Sequence, residues 1–114
     1  MTQSLIRDGL VAFVKQACPT CKLIVPQMQE ASRARGDFQV VTQDEAAFPP
    51  GVANVFDDRE LDVSYVNEIE ATPTLIRFAA GKEVERVMGW DRAAWQRLTG
   101  VAALGSALPP LVPG

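Results

Sequence analysis

Histidine is absent from this 114-residue sequence, and cysteine occurs only twice. With no imidazole and two sulfurs, one chain cannot assemble the full ligand set of a structural zinc. Only two chains sharing a zinc or an iron–sulfur cluster would complete such a site. Basic residues are scarce as well: eleven Lys and Arg against fourteen Asp and Glu leave a net charge of −3. Without a basic run there is no footprint for phosphates, which excludes nucleic acid as a partner. Long apolar stretches are also missing. The run at 9–14 lies between Arg7 and Lys15, short for the core of a signal peptide and far too short to span a membrane. The sequence therefore predicts a cytoplasmic protein with no membrane contact. It shows no repeat and no second domain, and a hydrophobic content of 47% suffices for one buried core.

What is present concentrates in Cys18-Pro19-Thr20-Cys21, which holds both cysteines and follows the apolar run at 10–15. That run (LVAFVK) reads as a strand buried on both faces. Pro19 suits the first position of a helix, where its missing N–H is no loss, and this makes Cys18 the N-cap. Helical spacing then puts Cys21, Ile24, Val25, Met28 and Ala31 on one face, to about Arg35. Pro26 is expected to kink this helix, and Gly36 to follow its end. Two thiols at this spacing close a small disulfide ring, and in a reducing compartment such a pair is catalytic or metal-binding rather than structural. A sulfur at a helix N-terminus gains from unpaired N–H groups and the dipole. Lowering a thiol from ~8.5 to ~7 takes about 2 kcal/mol, near the most a helix end supplies. Cys18 is thus the candidate thiolate, exposed to its target, and the inward-facing Cys21 the candidate resolving thiol.

Residues 38–43 read as a second strand, parallel to the first. The stretch 44–56 has no clean period and contains Pro49, Pro50 and Gly51, so it is read as a loop. Asp57 with Glu60 forms a capping-box pattern, Phe56 stapling onto Leu61. A short helix over 59–67 is expected to turn Leu61, Tyr65 and Val66 inward. Residues 74–79 and 83–88 form a hairpin around Gly81-Lys82. Asp91 caps a last helix, with Trp90 and Trp95 as its staple and Leu98 on the same face. From Thr99 the chain is uncharged and rich in Gly, Ala, Leu and Pro, either an arm or a linker. The expected domain covers 1–98 and the tail 99–114. The order β-α-β-α-β-β-α gives an α/β fold, a four-stranded mixed sheet flanked by helices.

From 10 to 98, apart from the loop, the chain resembles the thioredoxin family. Lys22 follows CPTC, and Pro26 stands eight residues after Cys18, where the family has a proline. Ala71-Thr72-Pro73-Thr74-Leu75 is similar to the segment carrying the family's cis-proline, with Gly81 and Gly89 at further eight-residue steps. The family's first strand and helix are missing. Ala17 replaces the tryptophan before the first cysteine, and Ala12 stands where thioredoxins carry a buried acid. CPTC also resembles the CPYC of glutaredoxins. The resemblance implies a cis Thr72-Pro73 bond against the sulfurs, and Thr72 backbone pairing with an extended substrate. The candidate substrate-binding residues are Pro19, Thr20, Thr72, Pro73, Gly89 and Trp90; for Trp90 the staple role alone is sufficient.

The implied activity is thiol–disulfide exchange: reduction of protein disulfides through Cys18 and Cys21 by way of a mixed disulfide. No cofactor is implied beyond the redox-active Cys18–Cys21 disulfide itself. Partners are disulfide-containing proteins and an electron donor, either a thioredoxin-reductase-like enzyme or glutathione. The glutathione-dependent, glutaredoxin-like reading is the alternative, since Gly89-Trp90-Asp91 faintly echoes a glutathione-holding segment. A non-catalytic binding module is another, supported by the charge-free tail. A metal shared between two chains is obstructed by a cis-Pro73 beside the sulfurs. Without an acid at Ala12, resolution by Cys21 is expected to be slow. The loop residues Phe48, Val52 and Phe56 either wall the dithiol or cover the core.

Overall fold

Strand β1 (Gly9–Val14) is the centre of a sheet in the computed structural model, which describes residues 8–114. Its residues are buried on both faces: Leu10, Ala12 and Val14 join one apolar cluster, Val11 and Phe13 the other. This is why the run is continuous rather than alternating. β2 (Phe38–Thr42) pairs with it in parallel, from Leu10 opposite Phe38 to Val14 opposite Thr42. β4 (Thr74–Ala79) pairs antiparallel on the other side and continues into the hairpin with β5 (Lys82–Met88). Ala80 and Gly81 turn that hairpin with φ of 54° and 75°, the left-handed geometry that fits strand twist.

The sheet has five strands, where four were expected. β3 (Val55–Asp57) adds to the outer edge of β2 in parallel, so the order is β3-β2-β1-β4-β5. Three residues at the end of an aperiodic loop carry too little alternation to show as a strand. A separate ribbon pairs β6 (Trp90–Asp91) with β7 (Leu111–Val112).

Pro26 breaks its helix rather than kinking it. α1 (Pro19–Leu23) ends at Ile24, and α2 (Val25–Ala34) restarts with Pro26 in its first turn. A proline has no N–H to donate back, so the hydrogen-bond ladder opens there. Met28 and Ala31 still face the core, and Arg35 caps the end before Gly36.

The expected start of α3 (Asp62–Val66) is corrected. Asp57 lies in β3 and binds the Arg59 guanidinium; Leu61 is the N-cap residue, and Asp58, three residues before it, receives the first-turn N–H groups. The Asp58 carboxylate is buried and accepts from the N–H groups of Val63 (3.0 Å) and Ser64 (2.8 Å). Leu61, Tyr65 and Val66 are exposed, Tyr65 by 86%, and Val63 and Ser64 are buried instead. The shift in start rotates the inward face. Asp58→Ala leaves two buried N–H groups without an acceptor; a loss of about 1–2 kcal/mol is expected in urea unfolding.

α4 (Arg92–Thr99) begins as read: the Asp91 carboxylate accepts from the Ala94 N–H at 3.1 Å. Trp90 and Trp95 pack with ring centroids 5.4 Å apart. The segment after Thr99 is a packed arm. Leu104 is fully buried, and Gly105 lies so close to the Trp90 ring that a side chain there would collide with it. Arg92 donates to the Leu108 carbonyl at 2.8 Å, and the Trp90 indole donates to that of Pro109 at 3.0 Å.

Candidate active site

Cys18 sits where β1 has ended and α1 begins, in extended backbone at φ −82° and ψ 119°, the conformation of an N-cap. Its Sγ accepts the N–H of Cys21 at 3.2 Å and, as a thiol, donates to the Thr72 carbonyl at 3.3 Å. The Thr72-Pro73 peptide bond is cis, which brings the loop before β4 against the cysteines. α1 has only five residues, so local N–H groups, rather than a long dipole, are what the sulfur meets.

The two thiols are driven apart electrostatically. Burial pushes Cys18 up, but hydrogen bonds from the Cys21 thiol and backbone N–H outweigh it and hold the group below 9.0. Cys21 is pushed up to about 12, first by burial and then by its bond to Cys18. One sulfur is poised to ionise and the other to hold its proton, a division of roles that exchange chemistry requires. Ala12, where an acid would stand, is buried in the same cluster as Cys21.

Asp44 is a contributor that the sequence did not reveal. Its carboxylate accepts from the N–H groups of Gln16 (2.7 Å) and Ala17 (3.0 Å), fixing the turn that delivers Cys18. An aspartate opening a loop after a strand is too common to stand out. Phe48 is buried in the core cluster, Val52 packs against it, and Phe56 packs on the other face of the sheet. These three cover core rather than forming one wall. The edge of Phe48 does line a shallow groove of about 410 Å³ with Ala17, Lys22, Asp44 and Pro50.

Of the candidate substrate-binding residues, Thr20, Thr72, Pro73, Gly89 and Trp90 come together, and all are buried. Pro19 is exposed. The Trp90 ring faces the core, and its backbone pairs with Val112. The expected exposure of Cys18 is corrected: only 4% of the residue is accessible. The Thr20 hydroxyl donates to the Pro113 carbonyl at 2.6 Å, and Gly114 lies against the Thr72 carbonyl that Cys18 also contacts. Among the described residues no group of three or more His, Cys, Asp or Glu could hold a metal ion. No described helix is long and apolar enough to cross a membrane.

Comparison with known proteins places this geometry. The chain is 33% identical over 95 residues to thioredoxin-1 of Saccharomyces cerevisiae, covering 80% of this chain and 79% of that protein. The chain belongs to the thioredoxin family. Thioredoxin-2 of the same yeast is 31% identical over 87 residues, 75% of this chain and 70% of that protein. No protein-family model matches. Among solved structures, oxidised thioredoxin from Plasmodium falciparum superposes with a TM-score of 0.59 at 23% identity, covering 90% of this chain and 89% of that one. The dsbF structure from MTB reaches 0.66 at 16% identity, covering 86% and 83%. At these identities the structures speak for the fold. A thioredoxin-family chain with two free cysteines in hydrogen-bond contact is a thiol–disulfide oxidoreductase.

Proposed function

We propose that this thioredoxin-family protein reduces or exchanges disulfides in protein substrates, with Cys18 as nucleophile and Cys21 as resolving thiol. The supporting observation is the opposed proton affinity of the pair, one thiol held below 9.0 and its neighbour raised to about 12. The Cys18 thiolate attacks a substrate sulfur, the substrate S–S bond breaks, and a mixed disulfide forms as the first substrate thiolate leaves. Cys21 then loses its proton and attacks Cys18 Sγ. A Cys18–Cys21 disulfide forms and the second substrate thiolate departs. Two electrons and two protons have passed to the substrate.

Two of the influences that raise Cys21 come from Cys18: its hydrogen bond and its charge. Both weaken once Cys18 is bonded to substrate, so Cys21 ionises more readily in the mixed disulfide than in the free dithiol. Burial remains. With Ala12 in place of an acid, the proton leaves through water or a departing thiolate, and resolution is the slow step.

Turnover with a thioredoxin-reductase-like donor is favoured over glutathione dependence, because the two yeast relatives are thioredoxins. The proposed compartment is the cytoplasm, where thiols are kept reduced. Insulin reduction tests the exchange activity, with a thioredoxin reductase and NADPH or with glutathione as donor. Turnover with the reductase, falling to background in Cys18→Ser, is expected. Turnover with glutathione alone would make the protein glutaredoxin-like. Absence of cysteine-dependent turnover with either donor would make it a binding module.

A further inference from the structure

The chain from Pro110 to Gly114, with strand β7 within it, lies beside the dithiol. Leu111 and Val112 pair antiparallel with Asp91 and Trp90, and the Arg92 N–H donates to the Pro110 carbonyl at 2.9 Å. Farther on, the Pro113 carbonyl accepts from the Thr20 hydroxyl inside CPTC. A Cβ at Gly89 would meet the Val112 carbonyl at 3.0 Å and the Gly114 nitrogen at 3.3 Å, so the strand passes directly over this glycine. A Cβ at Gly114 would run into the Thr72 carbonyl oxygen, the atom that Cys18 Sγ contacts. The segment thus touches Thr20, Thr72, Gly89 and the backbone of Trp90, the surface on which an extended substrate would lie. Cys18 is buried beneath this arrangement.

We propose that residues 110–114 act as a built-in competitor for the substrate groove, closing the dithiol until the segment lifts away. The inference rests on the disulfide-exchange reading of the same groove. The anchoring of this arm changes character along its length. Up to Pro109 it is tied by buried Leu104, the Trp90 indole and the Arg92 guanidinium. Beyond that point it is held by backbone pairing and one hydroxyl, and Leu111, Pro113 and Gly114 are exposed. Such an edge opens locally without unfolding the domain. Leu108-Pro109-Pro110-Leu111-Val112-Pro113 is also suited to the task, because residues before proline are biased to extended backbone. Proline in turn offers no N–H, so the strand presents carbonyls where a regular strand would present both groups.

The test measures the rate of Cys18 alkylation by iodoacetamide in the full chain, in a chain ending at Pro110, and in Gly114→Leu. If the groove is closed most of the time, removing the cover raises the rate by the inverse of the open fraction; about tenfold or more is expected for the shortened chain. A severalfold rise is expected for Gly114→Leu, whose side chain cannot sit against the Thr72 carbonyl unless the end of the segment moves away. Labelling of Cys21 in the shortened chain signals lost packing there, in which case Gly114→Leu, with Cys21 unlabelled, decides. Rates within about twofold of the full chain in both variants overturn the proposal. Insulin turnover separates the two readings. Faster alkylation without turnover in any chain leaves the cover standing and removes the exchange reading. Equal alkylation with full turnover does the reverse.

Discussion

Cys21→Ser is expected to stop the reaction at the mixed disulfide, lowering insulin turnover about a hundredfold or more while a covalent adduct accumulates on Cys18. The reasoning follows from which thiol keeps a nucleophile. With serine at 21, Cys18 retains the backbone N–H at 3.2 Å that helps stabilise its thiolate, so the first attack proceeds. No second sulfur then stands within reach to release the substrate. Intact-mass measurement after incubation with an oxidised protein substrate reads the adduct directly. Cys18→Ser should give neither adduct nor turnover, because the remaining thiol is fully buried and that burial by itself keeps it raised. If both single variants trap substrate equally, the assignment of roles is wrong.

Trp95→Ala is expected to cost about 3–5 kcal/mol, a large share of the roughly 5–15 kcal/mol that a domain of this size possesses. Trp95 is fully buried and stacks on Trp90 at 5.4 Å. Its indole N–H donates to the Gly89 carbonyl at 3.1 Å, so the same side chain holds the glycine that borders the groove. The void left by alanine lies at the centre of the cluster containing Cys21, Leu98 and Leu104. Trp95→Phe restores most of the ring but strands the Gly89 carbonyl, and a smaller loss of about 1–2 kcal/mol is expected. Urea unfolding of the two variants measures both figures. Equal stability of Trp95→Ala and the parent would mean that this cluster is not what supports the site.

The central strand, the hairpin and the capped last helix were legible because each follows from a pattern local to a few residues. The apolar run of β1 and Asp91 before an amphipathic turn are of this kind. CPTC was legible for the same reason: proline at a helix start and a cysteine before it leave few alternatives. Errors arose where two local signals competed. Asp57 and Asp58 are both competent acceptors for a first turn; β3 takes Asp57, and the Val63 and Ser64 N–H groups meet Asp58 instead. The segment 99–114 is open in the sequence between an arm and a linker. Its contacts with Trp90, Arg92 and Thr20 span up to 93 residues of sequence, and no periodicity records a pairing so remote. For that reason the sequence does not show that Cys18 is covered.

The pH dependence of dithiol reactivity bears on the whole account. Cys18 ionises more readily in the folded chain than its reference of 9.0, and Cys21 less readily, near 12. Between the lowered value and 9.0 the unfolded chain holds the Cys18 proton that the folded chain has released, so this group adds stability as pH rises. Above 9.0 the unfolded chain releases the Cys21 proton that the folded chain keeps until about 12, and that stability is lost again. The most direct measurement is iodoacetamide labelling of the reduced chain from pH 5 to 10, with each adduct assigned by mass. The expected result is a single adduct on Cys18, its rate rising through a midpoint below that of an unstructured cysteine peptide measured alongside, with Cys21 unmodified throughout. A midpoint at or above that of the peptide, or labelling of both sulfurs in parallel, would contradict it.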